Sequence, residues 1–241
     1  MIPKHTASEE EILAIFDSHT NQEASLVMTK CYRGMMLSHE IKTIAVDKHR
    51  AVFQALDLVV CAALEGCVHL HSYFLPKPVK ARVRDLSARR GMFSLSGFSY
   101  IEGNWQERLH ERVQPKEPTY VSLRYRKMDF RASMLDISLN GMGVLVCNAD
   151  NPELEFLANS CVSTDFQTSS TFRWLKLGGA IHYQKKVSRS IARLGIRLYP
   201  KLEQARQLEK YIANRKTEIM EELDQVSMAA KISSGVEYQY F

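Results

Sequence analysis

Two arginines four positions apart, Arg108 and Arg112, stand in the polar stretch IEGNWQERLHERVQPKEP, residues 101–118. Twenty-four positions after Arg112 begins the run Asp136-Ile137-Ser138-Leu139-Asn140-Gly141, with Gly143 just beyond. A guanidinium is planar and permanently charged. It donates a forked pair of N–H groups to a phosphate, or to the O6 and N7 atoms of guanine, and its face stacks on a base. A carboxylate accepts two donors side by side, as the N1–H and N2–H edge of guanine presents them. A hydroxyl fixes a turn or adds one hydrogen bond, and a glycine allows a positive φ and a close approach of backbone to ligand. Together these residue types suit capture of a compact anion that also presents paired hydrogen-bond donors. Each also has an ordinary use. Arg108 and Arg112 can pair with Glu107 and Glu111 at the surface. Asp136 and Ser138 can cap their own turn, and Gly141 and Gly143 can serve as bulge glycines.

The elements that must position these groups read as mainly β. A short N-terminal helix is expected first, with Thr6 and Glu9 as a capping box and Ile12, Leu13 and Phe16 as its apolar face. Alternation of apolar and polar residues then predicts strands over 27–31, 41–46, 68–74, 79–83 and 92–98. Residues 54–65 suit strand and helix equally, since Leu58, Val59 and Val60 favour one and the alanines the other. Residues 101–118, charged and carrying two prolines, read as a linker or exposed loop. Further strands are expected over 120–125, 130–135, 143–147, 172–177, 180–183 and 191–198. The chain closes with a helix whose Leu202, Ala205, Leu208, Ile212, Ile219 and Leu223 share one face. Its turns near residues 218–226 are long enough to project and pair with a second copy. Many short strands without intervening helices argue for a closed barrel or sandwich rather than an α/β fold. The expected architecture is two small β-barrel domains in tandem, residues 1–104 and 105–241, with one helix at each end. A faint echo links Val83-Arg84-Asp85-Leu86-Ser87 to Leu135-Asp136-Ile137-Ser138.

Composition narrows the class of function. With 241 residues, 45% hydrophobic and 24% charged, and a net charge of +5, this is an ordinary globular chain. The basic pairs Arg89–Arg90, Lys185–Lys186 and Arg215–Lys216 are scattered rather than aligned, unlike a nucleic-acid-binding stripe. The N-terminus MIPKHTASEE is polar and no apolar run spans a bilayer, so a cytoplasmic chain without membrane insertion is expected. Five cysteines with no CxxC pair read as reduced and mostly buried. His69 and His71 share one face of a strand, but no second ligand pair completes a metal site, so none is expected. Phosphate loops, nucleophile elbows and paired His/Glu motifs are missing, which points away from an enzyme.

The two motifs together resemble the PilZ family, whose members carry RxxxR in an N-terminal loop and D/N-x-S-x-x-G one strand pair later. Arg108 and Arg112 match the first, while Asp136, Ser138 and Gly141 match the second. Gly143-Val144 and Leu194-Gly195-Ile196-Arg197 lie where the family pattern continues, so the resemblance covers about residues 105–215. It implies a receptor for cyclic di-GMP with no cofactor, in which Arg108, Arg112, Asp136, Ser138, Asn140, Gly141 and Gly143 meet the ligand. The layout resembles that of YcgR-like flagellar brake proteins, implying control of motility, biofilm or virulence through a protein partner. Glu107 departs from relatives with a basic residue there; its charge opposes a second dianion and favours one bound ligand. Two other classes stand beside this reading. One is a ligand-independent PilZ-type adaptor, which the arginine pair argues against; the other is a cyclic di-GMP-responsive DNA-binding regulator.

Overall fold

The computed structural model describes residues 9–20, 25–61, 63–87, 90–101, 110–147, 156–167 and 174–233. Within them the strands close into two separate six-stranded barrels. The first is built from α1 (Glu9–Ser18), β1 (Leu26–Tyr32), β2 (Met35–Val46), β3 (Ala51–Ala55), α2 (Leu58–Cys61), β4 (Cys67–His71), β5 (Val79–Ser87) and β6 (Met92–Tyr100). Its strands run in the order β1-β2-β3-β6-β5-β4, and β4 returns to β1 through Val27↔His71 and Thr29↔His69. The interior is aromatic. Ile12, Leu13 and Phe16 of α1 are 0, 4 and 0% exposed, as their spacing predicts. The Phe16 ring meets Phe53 edge-on at 5.5 Å and Phe98 at 5.4 Å. Such pairs add about 0.5–1.5 kcal/mol beyond the area they bury.

Several expectations meet a different outcome here. Thr6 of the capping box lies outside the described residues. The Glu9 carboxylate instead accepts the backbone N–H groups of Gly97 (2.5 Å) and Phe98 (3.1 Å) on β6, where Gly97 has φ +67°. The ambiguous stretch after residue 54 divides into the end of β3 and the helical turn α2. Cysteines 31, 147 and 161 are exposed and only Cys61 is buried; the exposed three sit on outward-facing or terminal strand positions. His69 and His71 do share the outer side of β4, and burial holds both imidazoles below their ordinary pKa. Among the described residues no three potential ligand side chains converge on one point, and no helix is long and apolar enough to cross a membrane.

The second barrel comprises β7 (Tyr120–Tyr125), β8 (Met128–Ser138), β9 (Gly141–Cys147), β10 (Cys161–Gln167), β11 (Trp174–Lys186) and β12 (Ile191–Leu198), followed by α3 (Leu202–Ser233). Its order is β10-β11-β12-β9-β8-β7, closed by β7 on β10 through Val162↔Tyr125. Leu123, Ile137, Val144, Val146, Leu177 and Leu194 fill it at 0–1% exposure. The two stretches expected as separate strands around Gly178-Gly179 are one continuous β11. A Cβ at Gly179 would fall 2.4 Å from the Arg197 carbonyl, so the glycine marks close strand contact rather than a break. On α3, Leu208, Ile212, Ile219 and Leu223 are buried, whereas Leu202 at the first turn is 71% exposed. Ile219 and Leu223, at 0 and 1% exposure, pack within the chain, so these turns do not project as expected. By contacts the helix through Ile219 groups with β7–β12, and its later residues group with β1–β6.

Counted within each barrel, both follow the same winding, 1-2-3-6-5-4. The sequence echo does not track it. Asp85 lies on the fifth strand of its barrel and Asp136 on the second of the other, so the echo is a local coincidence. The α1 plug is the part of the first barrel whose removal is cleanest to read. Phe16→Ala removes a fully buried ring and both aromatic contacts. It is expected to lower stability by about 3–5 kcal/mol, measured as an earlier urea transition with the β-sheet circular dichroism of the native state unchanged.

Candidate functional site

Val113, an apolar residue in the polar stretch 101–118, is fully buried. It forms an isolated antiparallel bridge with Ile137 of β8: Val113 N donates to Ile137 O (2.9 Å) and Ile137 N to Val113 O (3.0 Å). The segment from His110 onward is therefore stitched to the barrel rather than free as an exposed loop. That stitch sets Arg112 beside the strand that carries Asp136.

Asp136 owes its direction to a β-bulge. Met134 pairs with Val144 and Asp136 with Gly143, leaving Leu135 as the extra residue. The bulge puts the carboxylate on the outer face over Gly143, where a Cβ would lie 3.0 and 3.1 Å from its two oxygens. Arg112 Nη1 donates to Asp136 Oδ1 at 2.8 Å. The other fork nitrogen, Nη2, stands 3.7 Å from where a Cβ of Gly141 would be. Arg193 of β12 donates from Nη2 to Asp136 Oδ2 at 3.2 Å. One carboxylate, 13% exposed, is thus held between two guanidiniums that are 28 and 38% exposed.

The turn beyond β8 is closed by Ser138. Its hydroxyl is 1% exposed and donates to Gly141 O at 3.2 Å, with Asn140 Oδ1 at 3.4 Å. Asn140 is exposed, and its backbone carbonyl accepts the Leu198 N–H at 3.0 Å. Gly141 is not in the left-handed region expected for it; the described glycines with positive φ are Gly34, Gly66, Gly91 and Gly97. What the site uses at Gly141 is the missing side chain, which leaves room under Arg112. Gly143 has the same use under Asp136.

Five of the residues singled out by the motifs (Asp136, Ser138, Asn140, Gly141 and Gly143) come together on β8, β9 and their connecting turn, with Arg112 against them. Arg108 and Glu107 lie outside the described residues. Glu111 pairs with Lys216 of α3. His110, Glu111, Leu139, Glu209, Ile212 and Lys216 border an open cleft of about 340 Å³ beside Arg112. Arg193 was not anticipated. Its only sequence signal is alternation with Gly195 and Arg197, which puts the three on one face of β12. Its Nε is buried without a hydrogen-bond partner among the described residues. The cluster therefore offers a carboxylate edge and guanidinium donors above a backbone floor bare of side chains.

No family model matches the chain, and no curated protein matches it. Solved structures similar to it include YcgR of Escherichia coli in complex with c-di-GMP, at 14% identity over 92% of this chain and 96% of that one, with a TM-score of 0.44. The K. pneumonia MrkH–c-di-GMP complex is 12% identical over 89% and 97%, also at 0.44. The isolated PilZ domain of E. coli YcgR with c-di-GMP is 20% identical over 49% of this chain and 98% of its own, at 0.40. At such distances the site is read from its own residues.

The bracket around Asp136 is measurable without any ligand. In a double-mutant cycle with Arg112→Ala and Asp136→Asn, urea denaturation is expected to give a coupling of about 1–2 kcal/mol, within the usual span for ion-paired neighbours. A coupling near zero would mean that the pair does not form in solution.

Proposed function

We propose that the chain is a non-catalytic receptor for cyclic di-GMP, with Arg112, Asp136, Ser138, Asn140, Gly141, Gly143 and Arg108 as its ligand-binding residues. The observation that carries the reading is the Asp136 carboxylate, held at the surface between Arg112 and Arg193 above a glycine. Few uses other than reading paired donors explain a carboxylate aimed by a bulge onto a bare stretch of backbone. The N1–H and N2–H groups of guanine fit that acceptor, and adenine lacks this edge. The Arg112 fork then turns to O6 and N7, or to a phosphate, and Arg108 supplies a second cation from the preceding segment. The resemblance of the two motifs to those of PilZ receptors supports the dinucleotide over a single guanine nucleotide.

Binding on this reading is an exchange. In the free protein Arg112 occupies one oxygen of Asp136, and guanine must take its place. Arg193 keeps the carboxylate charge compensated while Arg112 moves to the ligand. Ser138 holds the turn so that Gly141 and Gly143 stay flat beneath the base. The proposed outcome is a change in the arrangement of the two barrels, since Arg108 lies in the segment that leads into the second. A protein partner would read that change, because ligand binding shifts a two-state equilibrium only by differential affinity for its states.

Isothermal titration calorimetry is expected to show cyclic di-GMP binding to the whole chain, with GTP and cyclic di-AMP far weaker. Arg112→Ala and Asp136→Ala should each weaken binding about 5- to 150-fold, the equivalent of one bidentate base contact. Unchanged affinity in both variants would sink the proposal. Small-angle scattering with and without ligand tests the rearrangement separately, as a shift in the radius of gyration.

A further inference from the structure

A second bulge lies on the same outer face as Asp136. On β11, Ile181 pairs with Ile196 and Tyr183 pairs with Gly195, leaving His182 as the extra residue. Regular pairing would set Tyr183 opposite Leu194, which is fully buried, and send the ring inward. The bulge turns it out. The ring then lies directly on Gly195, where a Cβ would fall 2.1 Å from Cε1, 2.5 Å from Cδ1 and 2.7 Å from Cζ. Tyr183 remains 37% exposed.

Gly195 pairs with Gly143 across β12 and β9, and Gly143 pairs with Asp136. Four strands thus carry a single row, Asp136–Gly143–Gly195–Tyr183. At its two ends are bulged residues that lean toward each other, and at its centre are two glycines. The carboxylate stands over one glycine and the aromatic ring over the next. Adjacent strands lie about 4.8 Å apart, so an acceptor for a base edge and a π-face sit one strand spacing from each other. Arg193, two residues before Gly195 on the same face, reaches the same carboxylate.

We propose that Tyr183 is the aromatic contact of the guanine whose edge Asp136 accepts, a specificity residue outside both motifs. The inference rests on the receptor reading above. A purine held at its edge by Asp136 extends along the row toward Gly195, where the phenol ring supplies a face to stack on. Arginine alone can stack on a base, but it is drawn equally to phosphate. A ring fixed on a glycine floor discriminates in favour of a base. Both bulges serve one purpose: each takes a residue out of register and sets it over a bare backbone position in a shared row.

Base–aromatic contacts removed by substitution typically weaken binding about 5- to 150-fold. Tyr183→Leu keeps an apolar cover over Gly195 but removes the π-face, and is expected to lower cyclic di-GMP affinity at least tenfold with its melting temperature unchanged. Tyr183→Phe, which keeps the ring, restores binding. In the wild-type chain labelled on tyrosine rings, the resonances absent from Tyr183→Leu spectra should move upfield on addition of cyclic di-GMP, as ring stacking requires. If the wild-type chain binds and Tyr183→Leu binds as tightly, this proposal is overturned and the receptor reading stands. If the wild-type chain binds no cyclic di-GMP, both fall together.

Discussion

Withdrawing the Asp136 carboxylate from most of its water costs free energy that only fixed donors can offset. Arg112 and Arg193 supply them, one to each oxygen. Much of the second barrel follows from keeping those partners in reach. Arg112 is brought in by the two backbone hydrogen bonds between Val113 and Ile137, which anchor an otherwise polar segment to the one strand that matters. Arg193 arrives by a different path, along β12, whose pairing with β9 is continuous through Gly143↔Gly195. The carboxylate has two independent supports. Losing one leaves the other, so on the proposed receptor reading a ligand displaces Arg112 without stranding a bare charge.

A closed barrel is a good frame for such an arrangement. Every strand edge is paired, so the outer face can carry charged and bare positions without inviting a further strand. A barrel of regular strands, however, points alternate residues in and out in strict phase. Placing a chosen side chain over a chosen backbone position needs that phase to slip once, and a bulge is the smallest slip available. The first barrel has the same winding and its own bulges on β2 and β5. Its interior, by contrast, is closed by the α1 plug. The same topology therefore serves packing in one unit, while in the other its outer face is shaped around a carboxylate.

How much of this was legible in the sequence depends on whether the signal was periodic. β7 and β12 match their expected spans residue for residue: β7 alternates cleanly between exposed and buried positions, and β12 departs from alternation only at the buried Gly195. β3 and β10 were not anticipated. Their inward positions include Ala51, Ala55 and Thr164, which are small or polar and give alternation little contrast, although Thr164 is fully buried with its hydroxyl on Leu177 O. The residue types at the site were visible in Arg112, Asp136 and the glycines. Val113 was hidden as one apolar residue among charges, and a single buried residue has no period. Arg193 and Tyr183 were hidden more deeply, because both act across strands, and at Tyr183 the bulge on β11 breaks the very alternation that would have announced its face.

The position of Arg112 bears on how tightly such a site can hold a ligand. An arginine already engaged with Asp136 is preorganised, which spares much of the entropy of ordering a long side chain on binding. It also blocks the acceptor, so the ligand must repay the lost pair with at least an equivalent one. The geometry reconciles the two demands. Nη1 holds the carboxylate while Nη2 stands over Gly141, so a modest rotation releases the acceptor and keeps the guanidinium above the glycine floor. Glu111 and Lys216 add a second restraint on the segment just before Arg112, and this one does not involve the carboxylate. On the proposed receptor reading, a ligand therefore breaks the inner ion pair without freeing the segment that carries the arginine. The site is held in place by contacts it does not have to give up.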